Sequence, residues 1–415
     1  MDLLADLEAR GLVHDTTDRE ALRARLGSGP ITLYYGMDPS ADSLHTGNLI
    51  GLVVLRRFQL AGHRPIALAG GSTGMIGDPG GRSEERNLLD EDTLRANVEA
   101  IKQQIARVLG DEGEWELVDN YSWTRDVPLL AFLRDVGKHV TVNQMMARES
   151  VRARLESEHG ISYTEFSYML LQAFDYWWLH EEKGCELQLG GSDQWGNILS
   201  GVDLIRRRSG TAVHALCWPL LLAGDGTKLG KTTGARTWLD PDKTSPYQLY
   251  QHFIQTDDID VRRQLLWLTL LPVAEIDEVV RAHEEAPQRR AAQRLLAREV
   301  VTIVHGPSDA VAAEAASRVL FGEPLDAVDA ATLATIAGEV PSSVATLPAE
   351  LTDLLVSSGL AASKSEATRI VKQGGAYVNN EKWPEGGRVG PEHVLHGRYV
   401  LLRRGKDQYH LVVSG

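Results

Sequence analysis

The chain reads as an α/β protein, with a Rossmann-like parallel sheet first, an all-helical domain next and a small α+β domain last. Three observations carry this. Short apolar runs that end in glycine-rich loops recur through the first 240 residues with helical patterns between them, the alternation of a parallel sheet with ligand loops at its strand ends. Beyond Ser245 the pattern is helical, each helix opened by Pro or by a capping Asp or Ser. From 350 onward two short helical patterns lead into GGAYVNN and a hairpin, YVLLRR-GKDQ-YHLVV.

Taken in order, ITLYY at 31–35 predicts a buried strand, followed by a loop of Gly, Asp, Pro and Ser. Leu49, Ile50, Val53, Val54 and Phe58 then recur near the 3.6-residue period, which predicts a helix ended by Gly62. PIALAGG at 65–71 is the next strand and runs into GGSTGMIGDPGG. Helices are expected over 91–109, 126–136 and 163–183, then strands CELQLGG (185–191) and CWPLLLA (217–223). The later helices are expected at 246–255, 260–271, 273–285, 288–304 and 308–321. Pro324, Pro341 and Pro348 among Ala, Thr and Ser make 322–349 linker-like. The expected division is therefore 1–240, with a helical insertion, 241–321, a linker 322–349, and 350–415.

A length of 415 residues exceeds what one hydrophobic core supports. The longest near-continuous apolar stretch, Ala215–Ala223, contains Pro219 and falls short of the roughly 20 residues of a membrane span. The acidic N-terminus lacks the basic start of an export signal, so a cytoplasmic location is expected. Cys185 and Cys217 have neither disulfide nor zinc spacing and read as buried hydrophobes. A net charge of −14 argues against a protein that coats nucleic acid non-specifically. From Glu350 to Gly415, however, nine Lys and Arg outnumber seven Asp and Glu, so this part faces a different kind of partner.

Four groups of residues carry chemistry. His45-Thr-Gly47-Asn48 lies between a strand and a helix N-terminus, where free N–H groups and the helix dipole favour phosphate. Gly47 permits close approach, and His45 and Asn48 offer hydrogen bonds. Alone, a histidine placed like His45 more often caps a helix than binds phosphate. Lys228-Leu-Gly230-Lys231-Thr232 supplies two cations around glycine, suited to a polyphosphate, with a solvated turn as the bland alternative. A P-loop is excluded because Asp225 stands where its first glycine belongs. On helix 163–183, Tyr168, Gln172 and Asp175 share one stripe bounded by Phe166, Met169, Leu170, Leu171 and Phe174. A strand-end turn then presents Gly190, Gly191, Ser192, Asp193 and Gln194, and Asp78 adds a carboxylate at the same sheet edge.

In combination and order, HTGN, GDP, YxxxQxxD, GGSDQWGN and KLGKT resemble the bacterial tyrosyl-tRNA synthetases, which are class I aminoacyl-tRNA synthetases, and the resemblance covers essentially the whole chain. It implies a tyrosine–tRNA ligase that uses ATP with Mg²⁺, with no metal held by the protein, and that works as a homodimer with L-tyrosine and tRNA(Tyr). HTGN stands for the family's HIGH motif, with Asn48 replacing the second His, and KLGKT for KMSKS, with Gly230 replacing the central Ser. The implied catalytic residues are His45, Asn48, Lys228, Lys231, Arg82 and Arg86. The resemblance places Tyr34 and Asp175 at the substrate phenol, and Tyr168, Asp78 and Gln172 at its ammonium group. Asp38 and Gln194 help position tyrosine and nucleotide, and ATP would also meet Gly36, Gly47, Gly191 and Asp193.

The stretch from Leu351 to Asn380 resembles a small RNA-binding domain shared with a ribosomal protein. Lys364, Arg369 and Lys372 on a helix capped by Ser363 and Glu366, with Arg403, Arg404 and Lys406 at the hairpin turn, are the expected RNA contacts. Two rivals stand beside this reading. A tryptophanyl-tRNA synthetase shares the motifs, although the pair Tyr34 and Asp175 suits a phenol. A synthetase-like RNA-binding protein with a degenerate core is opposed by the two retained lysines, 228 and 231.

Overall fold

The computed structural model describes residues 2–78, 89–156, 160–220, 236–325 and 328–415. Its first sheet contains β1 (Asp15–Thr16), β2 (Thr32–Met37), β3 (Arg64–Ala69), β4 (Glu116–Asp119), β5 (Cys185–Gly191) and β6 (His214–Trp218), in the order β1-β6-β5-β2-β3-β4. All pairings are parallel except that of β1 with β6. From β2 the chain builds outward through β3 to β4, then crosses back to lay β5 and β6 on the other side. That reversal opens a crevice at the carboxyl ends of β2 and β5, where α/β sheets hold ligands.

The central strands are apolar because helices cover them. Helix Thr46–Leu60 buries Leu49, Ile50, Val53, Val54 and Phe58. Helix Tyr163–Lys183 packs Met169, Leu170, Phe174, Tyr176 and Leu179 against Tyr34, Ile66 and Leu68 of the sheet. Ser162 accepts a hydrogen bond from the Glu165 backbone N–H, and Gly184 ends the helix at φ 63, a left-handed conformation that glycine adopts without strain. The last strand differs from expectation. It is His214–Trp218, paired with Leu187–Gly191, and Pro219 just beyond it has no N–H to donate to a ladder. β1 and β4 were not expected at all. The helix looked for at 126–136 begins at Leu129, behind Pro128.

The chain divides into two compact units, Met1–Lys243 with Thr256–Ala292, and Thr244–Gln255 with Gln293–Gly415. In the first unit, helix Asp258–Leu268 packs near helix Thr46–Leu60, and Arg10 donates hydrogen bonds to the carbonyls of Leu266 and Leu271. The helical region expected at 241–321 is thus shared between the units.

The second unit contains β7 (Ser342–Ala345), β8 (Ala349–Glu350), β9 (Ala376–Val378), β10 (Glu381–Lys382), β11 (Arg388–Val389), β12 (Tyr399–Arg404) and β13 (Gln408–Ser414). Five of these form a sheet ordered β10-β9-β12-β13-β7, and β8 pairs with β11. Alternation along β12 is buried on both faces. Tyr399 and Leu401 join Ala316, Val319, Leu333 and Ile336 in one apolar cluster, while Val400 and Leu402 join Leu354, Leu355, Ala367 and Ile370 in another. Residues 322–349 are therefore not a linker. They include helix Ala330–Glu339, which buries Leu333 and Ile336, and β7, which lengthens the sheet. Their prolines sit at element ends, so composition resembled a spacer while the apolar spacing was that of a helix.

Candidate active site

The crevice is furnished from four strands. β2 carries Tyr34 and leads to Asp38, β3 leads into the short helix Gly71–Ile76 with Thr73, β4 leads to Asn120, and β5 ends at Gly191 ahead of Asp193 and Gln194. Helix Tyr163–Lys183 crosses them and contributes Tyr168, Gln172 and Asp175.

Tyr168, Asp38, Thr73, Asn120, Asp175 and Trp123 form a continuous hydrogen-bond network. Tyr168 Oη donates to Asp38 Oδ2 at 3.0 Å, and Thr73 Oγ1 donates to Asp38 Oδ1 at 2.8 Å. Asn120 Nδ2 donates to Thr73 Oγ1 at 3.1 Å and to Asp175 Oδ2 at 2.9 Å. Trp123 Nε1 donates to Asp175 Oδ1, also at 2.9 Å. Asn120 is itself fixed, because its Oδ1 accepts from the Ser72 backbone N–H at 2.7 Å. Asp175 is thus immobilised by one donor on each oxygen. Burial pushes its carboxyl up to about 7, opposed by the Asn120 and Trp123 hydrogen bonds and reinforced by the charges of Asp38 and Asp119.

Tyr34 is 1% exposed, and its hydroxyl has no hydrogen-bond partner among the described residues. Burial raises its phenol well above the ordinary tyrosine range, and the Asp175 charge adds to that shift. A buried hydroxyl left in this state disfavours the fold unless something else satisfies it. Gln172 Oε1 is in the same condition, as is Gln188 Oε1 on β5, level with Tyr34 in the strand register. Asp78 accepts a hydrogen bond from Gln194 Nε2 at 2.6 Å, and Asn197 Nδ2 donates to Gln194 Oε1 at 3.2 Å. The structure therefore brings Tyr168 together with Asp38, and Asp78 together with Gln194.

At HTGN, His45 is the N-cap of helix Thr46–Leu60, its Nδ1 accepting from the Gly47 backbone N–H at 3.0 Å. Asn48 Oδ1 accepts from the His45 backbone N–H at 3.1 Å, closing a capping box, and the Asn48 side chain also hydrogen-bonds the Tyr35 hydroxyl. Both ends of the Asn48 amide are thus engaged by the chain. Gly47 is required, since a Cβ there would lie 2.7 Å from His45 Cε1. At Gly191 a Cβ would meet Asp193 Oδ1 at 2.8 Å, whereas Gly36 would meet nothing nearer than 3.6 Å.

Lys228, Lys231, Arg82 and Arg86 lie outside the described residues. The chain that follows the lysine motif returns beside HTGN, where the Thr46 N–H donates to Thr237 O at 3.1 Å and the Leu239 N–H donates to Leu44 O at 2.8 Å.

In the second unit, the helix Lys364–Lys372 exposes Lys364, Arg369 and Lys372, each beside an acidic neighbour: Asp353, Glu366 and Glu385 respectively. Lys406 is exposed at the hairpin turn. The two hairpin arginines depart from expectation. Arg403 is 9% exposed with its guanidinium 3.8 Å above the Tyr377 ring, and Arg404 donates to Leu360 O and Glu366 Oε1. Both serve the fold: Arg403 lies on the face of β12 that carries Tyr399 and Leu401, and Arg404 is held by the helix Lys364–Lys372.

Asn120, Trp123, Thr73 and Gln188 escaped the sequence reading. A signal for the first two existed in NYSW, directly after the half-polar strand WELVD.

Residues 27–322 match the model of the class I tRNA synthetases (W and Y), and residues 332–412 match a C-terminal domain of the tyrosine–tRNA ligase type. With a parallel sheet and a polar crevice at its carboxyl edge, the chain belongs to the class I tRNA synthetases of the W and Y group. Its full-length relatives are tyrosine–tRNA ligases: that of Opitutus terrae is 51% identical and that of Roseiflexus castenholzii 48% identical, each over 99% of both chains. A C-terminally truncated mitochondrial tyrosyl-tRNA synthetase of Aspergillus nidulans superposes with a TM-score of 0.71 at 32% identity, covering 77% of this chain and 94% of its own. A tryptophanyl-tRNA synthetase of Encephalitozoon cuniculi, 14% identical with a TM-score of 0.56 over 75% of this chain and 87% of its own, shares the fold alone. Neither rival reading is favoured by these relatives.

Proposed function

We propose that the chain activates L-tyrosine with ATP, giving tyrosyl-adenylate and pyrophosphate, and then transfers the tyrosyl group to the 3′ end of tRNA(Tyr). The observation that carries this reading is the partnerless Tyr34 hydroxyl in a pocket with a fixed, buried Asp175 carboxylate. One acceptor and one donor suit a phenol, which can donate to Asp175 and accept from Tyr34. Tyr168, Asp78 and Gln172 would hold the ammonium group, with Asp38 and Gln194 setting the positions of Tyr168 and Asp78 through their hydrogen bonds.

In the first step the tyrosine carboxylate oxygen attacks the α-phosphate of ATP, a P–O bond forms, and the bond to pyrophosphate breaks. No protein nucleophile is needed, so catalysis is positioning plus stabilisation of phosphate charge. His45, whose Nδ1 accepts in the cap, would meet a phosphate oxygen through Nε2, and Lys228, Lys231, Arg82 and Arg86 would supply cations. ATP enters as its Mg²⁺ complex, over backbone kept open at Gly36, Gly47 and Gly191 beside Asp193. Lys364, Arg369, Lys372 and Lys406 are the exposed cations available to tRNA phosphates.

Pairing of two copies is supported by an apolar surface on the first unit. Leu129, Leu130, Val142, Met146, Leu155 and Tyr163 are all exposed there, Leu130 by 79%. No helix among the described residues is long and apolar enough to cross a membrane. Pyrophosphate exchange run with each amino acid tests the activity: stimulation by tyrosine is the expected result, and stimulation by tryptophan alone, or by none, overturns it.

A further inference from the structure

The phenol pocket has a charge balance with consequences beyond reading a hydroxyl. Asp175 is 3% exposed and is fixed by two neutral donors, Asn120 from the end of β4 and Trp123 from the helix Tyr121–Thr124. The charged groups that act on it most strongly are both carboxylates, Asp38 beyond β2 and Asp119 on β4. Tyr34 on β2 presents a neutral hydroxyl and is influenced by Asp175, Cys185 of β5 and Tyr176 of the crossing helix. Tyr176 is committed elsewhere, donating to His214 O at 2.7 Å, and Gln188 and Thr73 are uncharged. Among the described residues, the largest charge effects on Asp175 and Tyr34 thus come from carboxylates.

We infer that the pocket holds a single proton between the substrate's phenol oxygen and the Asp175 carboxyl, so that the enzyme rejects acidic phenols, such as ring-fluorinated or nitrated tyrosines, once both groups have ionised. The inference rests on the reading above that the phenol lies at Tyr34 and Asp175. With one proton, the phenol donates to Asp175 and accepts from Tyr34, or equivalently a phenolate accepts from a protonated Asp175. With none, two negative oxygens meet at hydrogen-bond distance in a buried site to which Asp38 and Asp119 add negative charge. Tyrosine keeps its phenolic proton to about pH 10 and never reaches that state in the physiological range.

The test uses the full-length wild-type protein and measures pyrophosphate exchange with tyrosine and with tetrafluorotyrosine, whose phenol is already ionised at neutral pH. The quantity read is the ratio of kcat/KM, analogue over tyrosine, from about pH 7 to about pH 9, where a single lost proton lowers the ratio about tenfold per pH unit. Groups common to both reactions, including the ATP phosphates and the substrate amino group, cancel in the ratio, and fluorine bulk contributes equally at every pH. If the analogue binds without being activated, its inhibition constant against tyrosine carries the same slope. A level ratio with normal tyrosine activation overturns the inference, as does an analogue that neither binds nor reacts even at neutral pH. Failure of tyrosine itself to support exchange overturns the underlying reading instead. Asp175→Asn, whose amide can donate to a phenolate, should flatten the slope, and the wild-type slope decides the matter if that variant does not fold.

Discussion

Removing the Tyr34 hydroxyl separates folding from recognition. Tyr34→Phe deletes a buried group that finds no partner among the described residues, and an unsatisfied group of this kind costs about 1–3 kcal/mol. The variant should therefore unfold at the same temperature as the parent or higher, while tyrosine activation weakens by on the order of 1 kcal/mol and phenylalanine activation hardly changes. Equal losses for both amino acids would make Tyr34 a wall of the pocket and nothing more. Asp175 acts on stability in the opposite sense. Its carboxyl sits at about 7 in the fold against about 3.9 in an unfolded chain, so its contribution is complete below about pH 4 and is lost as pH rises through about 7. The urea midpoint of the wild type, relative to Asp175→Asn, should fall across that window and level off above it, whereas a constant difference would mean that the group is ionised in the pocket throughout. For Lys231, a contact made only with developing phosphate charge predicts that Lys231→Ala lowers the adenylation rate by about two to three orders of magnitude with tyrosine affinity unchanged. Near-normal exchange kinetics would leave the loop with no catalytic part.

Helix Thr46–Leu60 shows how one residue can serve an element and a reaction with different atoms. His45→Asn keeps a side-chain acceptor at the N-cap but has no imidazole to meet a phosphate, whereas His45→Ala loses both. The Asn variant should melt near the wild type and adenylate slowly; the Ala variant should be equally slow and also lose about 1 kcal/mol of stability. Fast adenylation by His45→Asn would confine His45 to capping. Elements with strong end signals were legible in advance. Helix Tyr163–Lys183 has the bounds its sequence suggests, and its Tyr168 and Asp175 both join the hydrogen-bond network. What the stripe could not reveal was its partners, because Asn120 and Trp123 are 55 and 52 residues away and only the sheet brings them close. β4 escaped notice because a four-residue edge strand, half exposed, has no clean alternation. Helix Ala330–Glu339 was hidden by prolines that flank it.

At the scale of the molecule, the sharing of β12 between two apolar clusters changes what truncation does. A chain ended at residue 349 would strip Tyr399, Leu401, Tyr409 and Leu411 from Ala316, Val319, Leu333 and Ile336. Such a protein should bind hydrophobic dyes and lose the thermal transition of its second unit, while tyrosyl-adenylate formation by the first unit persists and charging of tRNA fails. A truncated protein that shows no added dye binding would mean that the helices stand without the sheet. The division of the chain also bears on events long before any substrate arrives. Each unit is assembled from two separated stretches, since 244–255 belongs to the second unit and 256–292 to the first. During synthesis the N-terminal sheet gains its β1–β6 pairing only after residue 218 has left the ribosome, and its last helices only after 292. The segment 244–255 must wait longer still, its helix unpartnered until 307–320 has emerged. A nascent chain from which helix Pro246–Ile254 has emerged but 307–320 has not thus carries an apolar helix without its main partner, and over that interval a chaperone would find this protein most in need of shelter.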